Sequence, residues 1–487
     1  MAIQGLTSHY RENEKRLHFL SEEGCETIIN AAFEALEKTG MNILHPRAVK
    51  VLTDAGATAE GSLVKIPRQM VIDSINSAPA EMVLYDRFGN EAIRAGGNRT
   101  YFGLGPTNPS FNDFETGERR PSRRMDTRNS AIIADACPNI DYVMGLAQIS
   151  DCIDEIADVY EGYEMLTNTT KPIAFWGIGE YGLKTQVRMA DAIAGGHDKL
   201  VEKPFVALYA GCALSPLTFD KNVYEKFEYA AMSGLPIVWL SGIQLGSVSM
   251  VTMPGAFAQN LAEVFVGIVL SQLLNKGCTV MSNITLLTVD MSTTHSAYGS
   301  PEHCMGEVIG ADIFHYLNLP FMGTAGATDS KLVDEQAAIE SSMQVIMNIL
   351  GGGHFIHDAG FIDGAMSGAL EQIVLSDEII GYARHIEKGF EINEETLALD
   401  VIDEVGPGGE YLTHEHTTEH FRDSLWFPTL MTRELYLNWE NNGKKDMRTR
   451  IHEKTAKLLA EHRAEPLPDD VVKQLDAILA EAEESTK

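Results

Sequence analysis

From about residue 100 the chain alternates short apolar runs with longer stretches of helical periodicity. The runs are TYFGLG (100–105), YVMGLAQI (142–149), PIAFWGIG (172–179), PFVALYAG (204–211), PIVWLSG (236–242), CTVMSNI (278–284), PFMGTAG (320–326) and GHFIHDAG (353–360). Continuous apolar runs of this length are typical of strands buried on both faces of a parallel sheet. Eight strand and helix units predict a (β/α)8 barrel, a TIM barrel in the α/β class, which takes about 250 residues or more.

A doubly wound open sheet is the alternative fold. It is less favoured because no Gly-x-Gly-x-x-Gly opens a helix after the first run and no Walker sequence is present. Residues 1–97, with a predicted helix at 21–39 and a hairpin after 82–90, are predicted to form an N-terminal α+β cap. The barrel takes residues 98–390. Residues 391–487 form a C-terminal linker and helical extension, with helices at 448–462 and 469–483.

The amino-acid composition and net charge exclude several classes of function. Hydrophobic residues make up 44% and charged residues 22%, which is typical of a globular protein. The 38 Lys and Arg against 69 Asp and Glu leave a net charge of −31, which disfavours nucleic acid as a partner. A polar N-terminus, apolar runs too short to span a bilayer and the absence of Cys-x-x-Cys predict a soluble cytoplasmic protein with reduced thiols and no membrane partner.

The active site of a barrel forms at the carboxyl ends of its strands, so the run ends nominate site residues. The nominees are Tyr101, Phe102, Asn108, Gln148, Trp176, Tyr209, Ser241, Gln244, Asn283, Thr324, Ala325, His354, His357 and Asp358. They are aromatic or neutral except for one acid, and no Lys stands at a run end to form a Schiff base. Aromatic faces and acidic surroundings attract ammonium groups, so the sequence favours a cationic substrate.

Three further features leave alternatives open. His354 and His357 fall on opposite faces of an extended strand because three is an odd spacing, so at most one should point into the barrel unless the strand bends. Either one orients a ligand with Asp358 as its acidic partner, or both are structural. Glu263, in the apolar stretch NLAEVFVGIVL, either faces the site mouth or is a paired structural acid.

The segment LTHEHTTEH contains His414, His416 and His420, a pattern that can bind zinc. It lies outside the predicted barrel in a Gly-rich connection, where packing or contact with a partner explains it as well. We therefore predict no metal site.

Several long motifs carry a family resemblance. GTAGATDSKLVDEQAAIES, GGGHFIHDAG followed by LEQIVLSDEIIG, and GPGGEYLTHEHTTEHFR resemble the trimethylamine methyltransferase family. The resemblance implies a barrel enzyme that transfers a methyl group from a methylated amine to the cobalt of a separate corrinoid protein. Founding members carry pyrrolysine, whereas this chain contains only ordinary amino acids. It therefore resembles the branch that demethylates quaternary amines such as glycine betaine, proline betaine, carnitine and γ-butyrobetaine.

On this resemblance the leading substrate is glycine betaine, which would give dimethylglycine. The leaving group is a neutral amine, so no general acid or base is needed and catalysis is by positioning, assigned to Tyr101 and His354. Aromatic rings of Tyr101, Trp176 and Phe355 would hold the methyl groups, and Glu263 or Asp358 would supply negative potential. The substrate carboxylate would be bound by His354, His357, Gln148 and Asn283.

The resemblance also sets the expected partners. The chain has no Asp-x-His-x-x-Gly cobalamin sequence, so we expect no bound cofactor and cob(I)alamin carried by a partner corrinoid protein. Residues 108–124 and 414–420 are candidate docking loops, and a homo-oligomer is expected.

Two rival functions remain at this stage. One is a metal-dependent barrel lyase or hydrolase that uses His354, His357 and Asp358 or the C-terminal histidines. The other is a non-catalytic betaine-binding scaffold, which would bind ligand without turnover.

Overall fold

In the computed structural model, which describes residues 3–11 and 15–487, the N-terminal region forms helices and short antiparallel strands. Its elements are α1 (Glu22–Glu34), a π-helical turn (Ala35–Thr39), β1 (Met41–Ile43), α2 (Pro46–Asp54), β2 (Thr58–Glu60), β3 (Leu63–Lys65), α3 (Arg68–Ser77), β4 (Met82–Tyr85) and β5 (Glu91–Ala95). The predicted hairpin is confirmed, because β4 and β5 pair antiparallel. The predicted helix at 21–39 is observed as α1 plus the π-helical turn.

The central region alternates strands with helices. Its elements are β6 (Tyr101–Leu104), β7 (Ser110–Asn112), β8 (Arg119–Pro121), α4 (Arg124–Ala136), α5 (Ala157–Asn168), β9 (Ile173–Trp176), α6 (Glu180–Ala194), α7 (His197–Glu202), β10 (Val206–Cys212), β11 (Thr218–Phe219), α8 (Lys221–Met232), β12 (Ile237–Leu245), α9 (Met253–Leu274), β13 (Val280–Val289), β14 (Ser296–Ala297), α10 (Pro301–Leu317), β15 (Met322–Thr324), α11 (Glu335–Gly351), β16 (Phe355–Ala359), β17 (Phe361–Ile362), β18 (Ser367–Gly368) and α12 (Leu370–Lys388).

The long strands pair in parallel. One sheet has the parallel order β13, β12, β10, β9, with the short antiparallel β14 at its edge, and another has the order β15, β16, β6. Isolated parallel bridges connect the two sheets at Ser282–Phe321 and, through the segment between β6 and β9, at Gly103–Tyr142 and Val143–Ile173. The protein thus has a mixed α/β fold with a barrel-like arrangement of parallel strands.

Seven of the eight apolar runs contain a strand, and the second run is the exception. Residues 142–149 form only isolated bridges, at Tyr142, Val143 and Ala147. Leu146 has a φ of 56°, in the left-handed region, which interrupts the extended backbone that a continuous ladder needs.

Helix α9 is apolar on all sides because it is covered on all sides. It packs against β12 and β13 on one face and against α1 and α3 of the N-terminal region on another. Among the described residues it is the one helix long and apolar enough to cross a membrane, but 83% of that stretch is buried inside the fold, as in a core helix of a soluble protein. A Cβ at Gly267 would lie 2.2 Å from the Trp239 ring, so this glycine permits close helix-to-sheet packing.

The C-terminal region consists of α13 (Glu394–Leu397), α14 (Leu399–Val405), α15 (Glu415–Ser424), α16 (Tyr436–Asn441), α17 (Met447–Glu461) and α18 (Asp469–Ser485). The last two helices, both predicted, pack on the central region: α17 against α4 and α12, and α18 against α5 and α6. The residues between α12 and α17 are almost entirely exposed.

Candidate active site

The carboxyl end of β16 is irregular where two of the nominated residues lie. Pairing with β6 is regular at Phe355 and Ile356, and then the register shifts before Ala359. Within this irregular stretch Asp358 has a φ of 86°, which non-glycine residues rarely adopt. Bulges and strained backbone occur preferentially beside active sites, where they redirect side chains. The strand therefore bends at His357 and Asp358. Because of this bend, the odd spacing between His354 and His357 no longer determines which face of the strand each side chain points to.

His357 and Asp358 are buried without hydrogen bonds. In the part of the chain that the structure describes, neither ring nitrogen of His357 and neither carboxylate oxygen of Asp358 has a hydrogen-bond partner. His357 Nδ1 lies in direct contact with the Asp358 carboxylate, and this contact is an ion pair only when the ring is protonated. The buried Tyr142 hydroxyl also lacks a partner. Burying such groups is unfavourable unless something pairs with them, so their concentration at one point indicates a site that a ligand completes.

The pKa values of three tyrosines from different parts of the central region are raised in part by the charge of Asp358. Burial raises the pKa of Tyr142 and of Tyr298 well above its usual range, and the Asp358 carboxylate adds to both effects. Burial, then Cys212, and then Asp358 raise the pKa of Tyr209. All three rings therefore remain neutral phenols near one carboxylate. Such an arrangement of aromatic rings and a negative charge suits a small cation.

Two glycines, one on β6 and one directly after it, create the space for this group. A Cβ at Gly103 would lie 2.4 Å from the Tyr142 ring, and one at Gly105 would lie 2.3 Å from the Phe361 ring and 2.5 Å from the Asp358 carboxylate. Larger residues at either position would displace the aromatic rings or the acid. The YFGLG pattern is thus required by the site that faces it.

A buried polar network lies next to the tyrosines. Nδ1 of His303 donates to the Leu286 carbonyl oxygen at 3.0 Å, and its Nε2 lies 2.9 Å from Thr324 Oγ1. Thr324 Oγ1 is also 3.0 Å from the Glu307 carboxyl, which accepts from the Thr324 backbone N–H at 2.8 Å. Burial raises the pKa of Glu307 to about 8, so this acid is mostly protonated at neutral pH. The His303 ring packs edge-on against Tyr298, with centroids 5.8 Å apart.

A cleft of about 620 Å³ opens at the carboxyl ends of β13, β15 and β16. It is lined by Arg119, Asp290, Thr293, His295, Ser296, Ala297, Asp329, Lys331, Asp363, Gly364 and Met366. Tyr298 connects this cleft to the buried group, because its backbone N–H donates to Asp329 at 2.9 Å while its ring lies within the field of Asp358. The cleft therefore marks the outer part of the candidate site.

Tyr101 and His354 lie at the opposite ends of the strands. The Phe321 N–H donates to His354 Nδ1 at 2.9 Å, and His354 Nε2 donates to the Gly97 carbonyl at 2.7 Å. Burial and the neighbouring His315 lower the pKa of His354 to about 3, so the ring is neutral. Tyr101 begins β6 and donates its backbone N–H to the His354 carbonyl oxygen. The structure thus does not bring these two nominees to the carboxyl ends, where a barrel site forms.

Glu263 and Asn283 are engaged in the interior. The hydroxyl of Ser215 donates to Glu263 at 2.6 Å, and that of Ser241 donates to the same carboxylate. Glu263 is the paired structural acid of the two alternatives. The Asn283 amide accepts from the Ser241 N–H at 3.2 Å and donates to Thr285 Oγ1 at 2.5 Å. Neither side chain is free for a substrate in this arrangement.

The other nominees have different surroundings. Phe355 is buried and stacks on Tyr142, with ring centroids 3.7 Å apart, so it holds one of the rings whose pKa the Asp358 charge raises. Trp176 is half-buried, and Lys226 Nζ lies 5.6 Å from its ring centroid while donating to the Gly177 carbonyl oxygen. One ammonium group therefore already occupies the neighbourhood of Trp176. Gln148 is exposed at the end of its segment.

The histidines of the C-terminal segment form part of a helix. His414 caps α15 by accepting the His416 backbone N–H at 3.1 Å, and the rings of His416 and His420 are 4.3 Å apart. Within residues 3–11 and 15–487, no group of three or more His, Cys, Asp or Glu side chains is arranged to hold a metal ion.

Sequence reasoning missed Tyr142, Tyr298, His303 and Glu307. Tyr142 starts a run, which pointed to the amino end of a strand, but the irregular segment places its ring beside Phe355. Tyr298 follows the short β14. His303 and Glu307 are four residues apart on α10, a spacing that puts these two polar groups on one face of a mostly apolar helix. That spacing was the one signal in the sequence that could have identified them.

The fold and site together define a class: an α/β enzyme whose buried carboxylate and tyrosines, below a cleft at the strand ends, suit a small cationic molecule. Comparison with known proteins specifies the family. The family model "Trimethylamine methyltransferase (MTTB)" matches residues 2–486. The chain belongs to the trimethylamine methyltransferase family and is a methyltransferase, which confirms the resemblance seen in the motifs.

Individual relatives cover nearly the whole chain. It is 31% identical to "Trimethylamine methyltransferase MttB" of Desulfitobacterium hafniense (strain DSM 10664 / DCB-2), over 95% of this chain and 94% of that protein. It is 29% identical to "Glycine betaine methyltransferase" of Desulfitobacterium hafniense (strain Y51), over 96% and 97%. The fold is similar to the crystal structure of the Methanosarcina barkeri monomethylamine methyltransferase (MtmB), with a TM-score of 0.50, 13% identity and coverage of 93% and 90%.

Proposed function

We propose that this methyltransferase moves a methyl group from a quaternary amine to cob(I)alamin carried by a separate corrinoid protein. The leading substrate is glycine betaine, which would be converted to dimethylglycine. Proline betaine, carnitine and γ-butyrobetaine are the alternatives within the same reaction. The observation that carries the proposal is the buried Asp358 carboxylate, which has no hydrogen-bond partner among the described residues and shares its surroundings with three tyrosines.

A quaternary ammonium group would neutralise the negative charge that is buried in this site. It brings the positive charge that Asp358 lacks, and its methyl groups make favourable contacts with the faces of aromatic rings. It has no N–H donor, so it would leave the Asp358 oxygens without hydrogen bonds while still neutralising their charge. We assign the cation to Tyr142, Tyr209, Tyr298 and Asp358. His357 and Gln148 are assigned to the carboxylate of a betaine, because both can donate hydrogen bonds to it.

The reaction needs positioning more than proton transfer. The bond between nitrogen and one methyl carbon breaks, its electron pair remains on nitrogen, and the methyl group passes to the reduced cobalt. The released tertiary amine is neutral, so no group has to protonate it. The residues of the site would therefore act by orienting one methyl group toward the cleft and by excluding water.

The barrel would provide the docking face. We propose that the two parallel sheets and residues 142–147 close into one (β/α)8 barrel, whose carboxyl ends carry the site. A corrinoid ring is too large for an interior filled by side chains, so the carrier protein would dock over the cleft at residues 290–297, 329–331 and 363–366. The domain boundaries at residues 97 and 390, a cytoplasmic location and a homo-oligomeric state remain our predictions.

To test this proposal, the protein is incubated anaerobically with a reduced corrinoid protein and one amine at a time. Methylation of cob(I)alamin is monitored by its absorbance. The panel contains glycine betaine, proline betaine, carnitine, γ-butyrobetaine and trimethylamine. Methylation with a quaternary amine supports the proposal. Methylation with trimethylamine alone would contradict the quaternary-amine assignment. Trimethylamine is included in the panel because a relative with 31% identity is named a trimethylamine methyltransferase.

A further inference from the structure

One hydroxyl group links a histidine and a carboxyl group next to the candidate site. Thr324 Oγ1 lies 2.9 Å from His303 Nε2 and 3.0 Å from the Glu307 carboxyl. All three residues are buried, with at most 2% of the surface of each exposed, so bulk water does not compete for these bonds. A hydroxyl has a single hydrogen and can donate to only one of the two groups. The direction of this chain of hydrogen bonds therefore shows where its proton is.

The backbone fixes the direction of the chain at the histidine end. The Leu286 carbonyl oxygen can only accept, so the His303 Nδ1 atom that lies 3.0 Å from it carries a hydrogen. With one further proton on the acid or on the ring, two arrangements remain. In the first, a protonated Glu307 donates to Thr324, which donates to a neutral His303. In the second, a charged His303 donates to Thr324, which donates to an ionised Glu307, so two charges are buried instead of none.

Burial favours the first arrangement. Removal of a charge from water is unfavourable, so burial raises the pKa of Glu307 to about 8 and lowers the pKa of His303. At neutral pH the proton is therefore on Glu307, which uses it to donate to the Thr324 hydroxyl. Because this pKa is only about one pH unit above neutral, a modest change in the nearby charge is enough to ionise the acid.

Glu307 is coupled to the buried charge of the candidate cation site. Thr324 on β15 is paired in register with His357 on β16, so the strand that holds the hydroxyl lies about 4.8 Å from the strand that carries His357 and Asp358. The Asp358 charge adds to the effect of burial on the Glu307 pKa. Tyr298 is influenced by both acids, because each contributes to its raised pKa. A change of charge beside Asp358 therefore changes how strongly Glu307 holds its proton.

We propose that Glu307 couples substrate binding to a proton: it holds the proton until a quaternary ammonium group binds beside Asp358, and then releases it to solvent. This inference rests on the function proposed above. The cation neutralises the Asp358 charge, which opposes ionisation of Glu307, and adds an attraction of its own. The O–H bond of Glu307 breaks and the proton passes to a buffer molecule. The Thr324 hydroxyl turns from His303 to the new carboxylate, which also keeps the Thr324 backbone N–H.

A quaternary ammonium group makes this coupling measurable because it carries no proton at any pH. A proton that appears when it binds must come from the protein. The titratable groups around Glu307 and Tyr298 are His303 and Cys304 on α10, His357 and Asp358 on β16, and Asp329 after β15. His357 is the rival source, because it contacts the Asp358 carboxylate and would lose any proton it carries when the cation takes over that charge.

The test is isothermal titration calorimetry of the full-length protein with glycine betaine and with tetramethylammonium chloride, in phosphate and in Tris buffer at pH 7.5. The two buffers differ in their enthalpy of ionisation, so the difference in binding enthalpy gives the number of protons released. With a pKa of about 8, about three-quarters of Glu307 is protonated at pH 7.5, and we expect release of about half a proton. The dissociation constant should fall about 3- to 10-fold between pH 6.5 and pH 8.

Four variants separate Glu307 from other sources. Glu307→Gln should abolish the release and still fold, because its amide can donate to the Thr324 hydroxyl and accept the Thr324 N–H as the protonated acid does. Thr324→Ser keeps the hydroxyl and should keep the release. Thr324→Val removes a donor to the carboxylate and should move the release to higher pH. The matched control is Glu371→Gln on α12, a half-buried acid beside His452 whose pKa burial also raises, and it should behave as the wild type.

Infrared difference spectroscopy of the wild type covers the case in which a variant fails to fold. Addition of tetramethylammonium should remove the C=O absorption of a protonated carboxyl group and add that of a carboxylate. Binding without proton release overturns the inference and leaves the proposed function intact. Release that persists in Glu307→Gln also overturns it and assigns the proton to His357. Failure of every quaternary amine to bind overturns the proposed function and this inference with it.

Discussion

His354, directly before β16, and His357, three residues further toward its carboxyl end, occupy opposite kinds of environment. At the amino end both nitrogens of His354 are hydrogen-bonded to backbone groups, and its ring is held neutral. At the carboxyl end neither nitrogen of His357 has a hydrogen-bond partner among the described residues, and the adjacent Asp358 is buried in the same condition. His354 at the amino end is thus fully hydrogen-bonded within the protein, whereas His357 and Asp358 have buried polar atoms that, on our proposal, a ligand would pair with.

This difference separates stability from function within one fold. A polar group whose hydrogen bonds are all made inside the protein contributes to the free energy of folding, and its removal leaves a partner unsatisfied. A buried polar group without partners lowers stability and is retained for binding or catalysis. Substitutions at the two ends should accordingly produce opposite results.

The largest effect is expected for Asp358→Asn. Removal of the buried charge that acts on the three tyrosines should lower kcat/KM for the quaternary amine at least 100-fold, equivalent to about 2.7 kcal/mol. The melting temperature should stay level or rise, because an unpaired buried carboxylate is lost. Anaerobic methyl-transfer kinetics and thermal unfolding measure the two quantities. Asp73→Asn, an exposed acid on α3, is the control and should change neither. Retention of full activity by Asp358→Asn would remove this residue from the site.

His354→Ala should produce the reverse pattern. It leaves the Phe321 N–H and the Gly97 carbonyl oxygen unpaired and opens a cavity, so the free energy of unfolding should fall by about 2–4 kcal/mol. The KM of the protein that remains folded should hardly change. Urea unfolding checks the first result. A matched His357→Ala variant should lose activity with a much smaller change in stability, and equal loss of stability in both would abolish the distinction between the two ends.

Glu307→Gln should flatten the dependence of stability on pH. Burial raises the Glu307 pKa from 4.5 to about 8, so the folded protein keeps a proton that the unfolded chain releases. The contribution of this group therefore favours folding most below pH 4.5 and declines as the pH rises from 4.5 to 8, by up to about 1.4 kcal/mol per pH unit. Unfolding measured at pH 6 and 8 should show a smaller difference in the Gln variant. An unchanged difference would mean that Glu307 is ionised in the folded protein.

The smallest effect is expected for Tyr298→Leu, which removes one ring from the proposed cation site. A single cation–π contact is worth about 0.5–2 kcal/mol, so KM should rise about 2- to 30-fold with less change in kcat. Tyr298→Phe keeps the ring face and should retain most of the affinity. Initial-rate kinetics distinguish the two variants. If Phe and Leu behave alike, the ring does not contact the cation.

The elements of the fold were largely predictable. Seven of the eight apolar runs contain a strand. They could be predicted because strands buried on both faces are built from continuous apolar residues, which are visible in the local sequence. The strand predicted at 142–149 is not observed. This run is also apolar because it is buried, but the left-handed backbone conformation of Leu146 interrupts the extended chain. After the last run the chain forms the short β18 before α12 begins at Leu370, an interruption that the periodicity alone does not show.

The site was predictable only in part. Run ends correctly indicated His357, Asp358 and Gln148 as residues at the carboxyl ends, because strand direction fixes which end is which. Tyr101 and His354 were predicted at the carboxyl ends of their strands but lie at the amino ends. For His354 the reason is that GHFIHDAG contains two histidines, and the sequence does not show which of them is nearer the carboxyl end of the site. Glu263 was a true ambiguity, and only the hydroxyls of Ser215 and Ser241 decided it.

The sequence by itself determined the alternation of strands and helices, the buried helix α9, the family and the acidity of the surface. These follow from local composition and from motifs that are continuous along the chain. Tertiary structure alone decided which polar groups are satisfied. Hydrogen-bond partners come from residues that are distant in sequence, as Gly97 and Phe321 are from His354. Whether a buried acid is structural or waits for a substrate is therefore a property of the folded molecule.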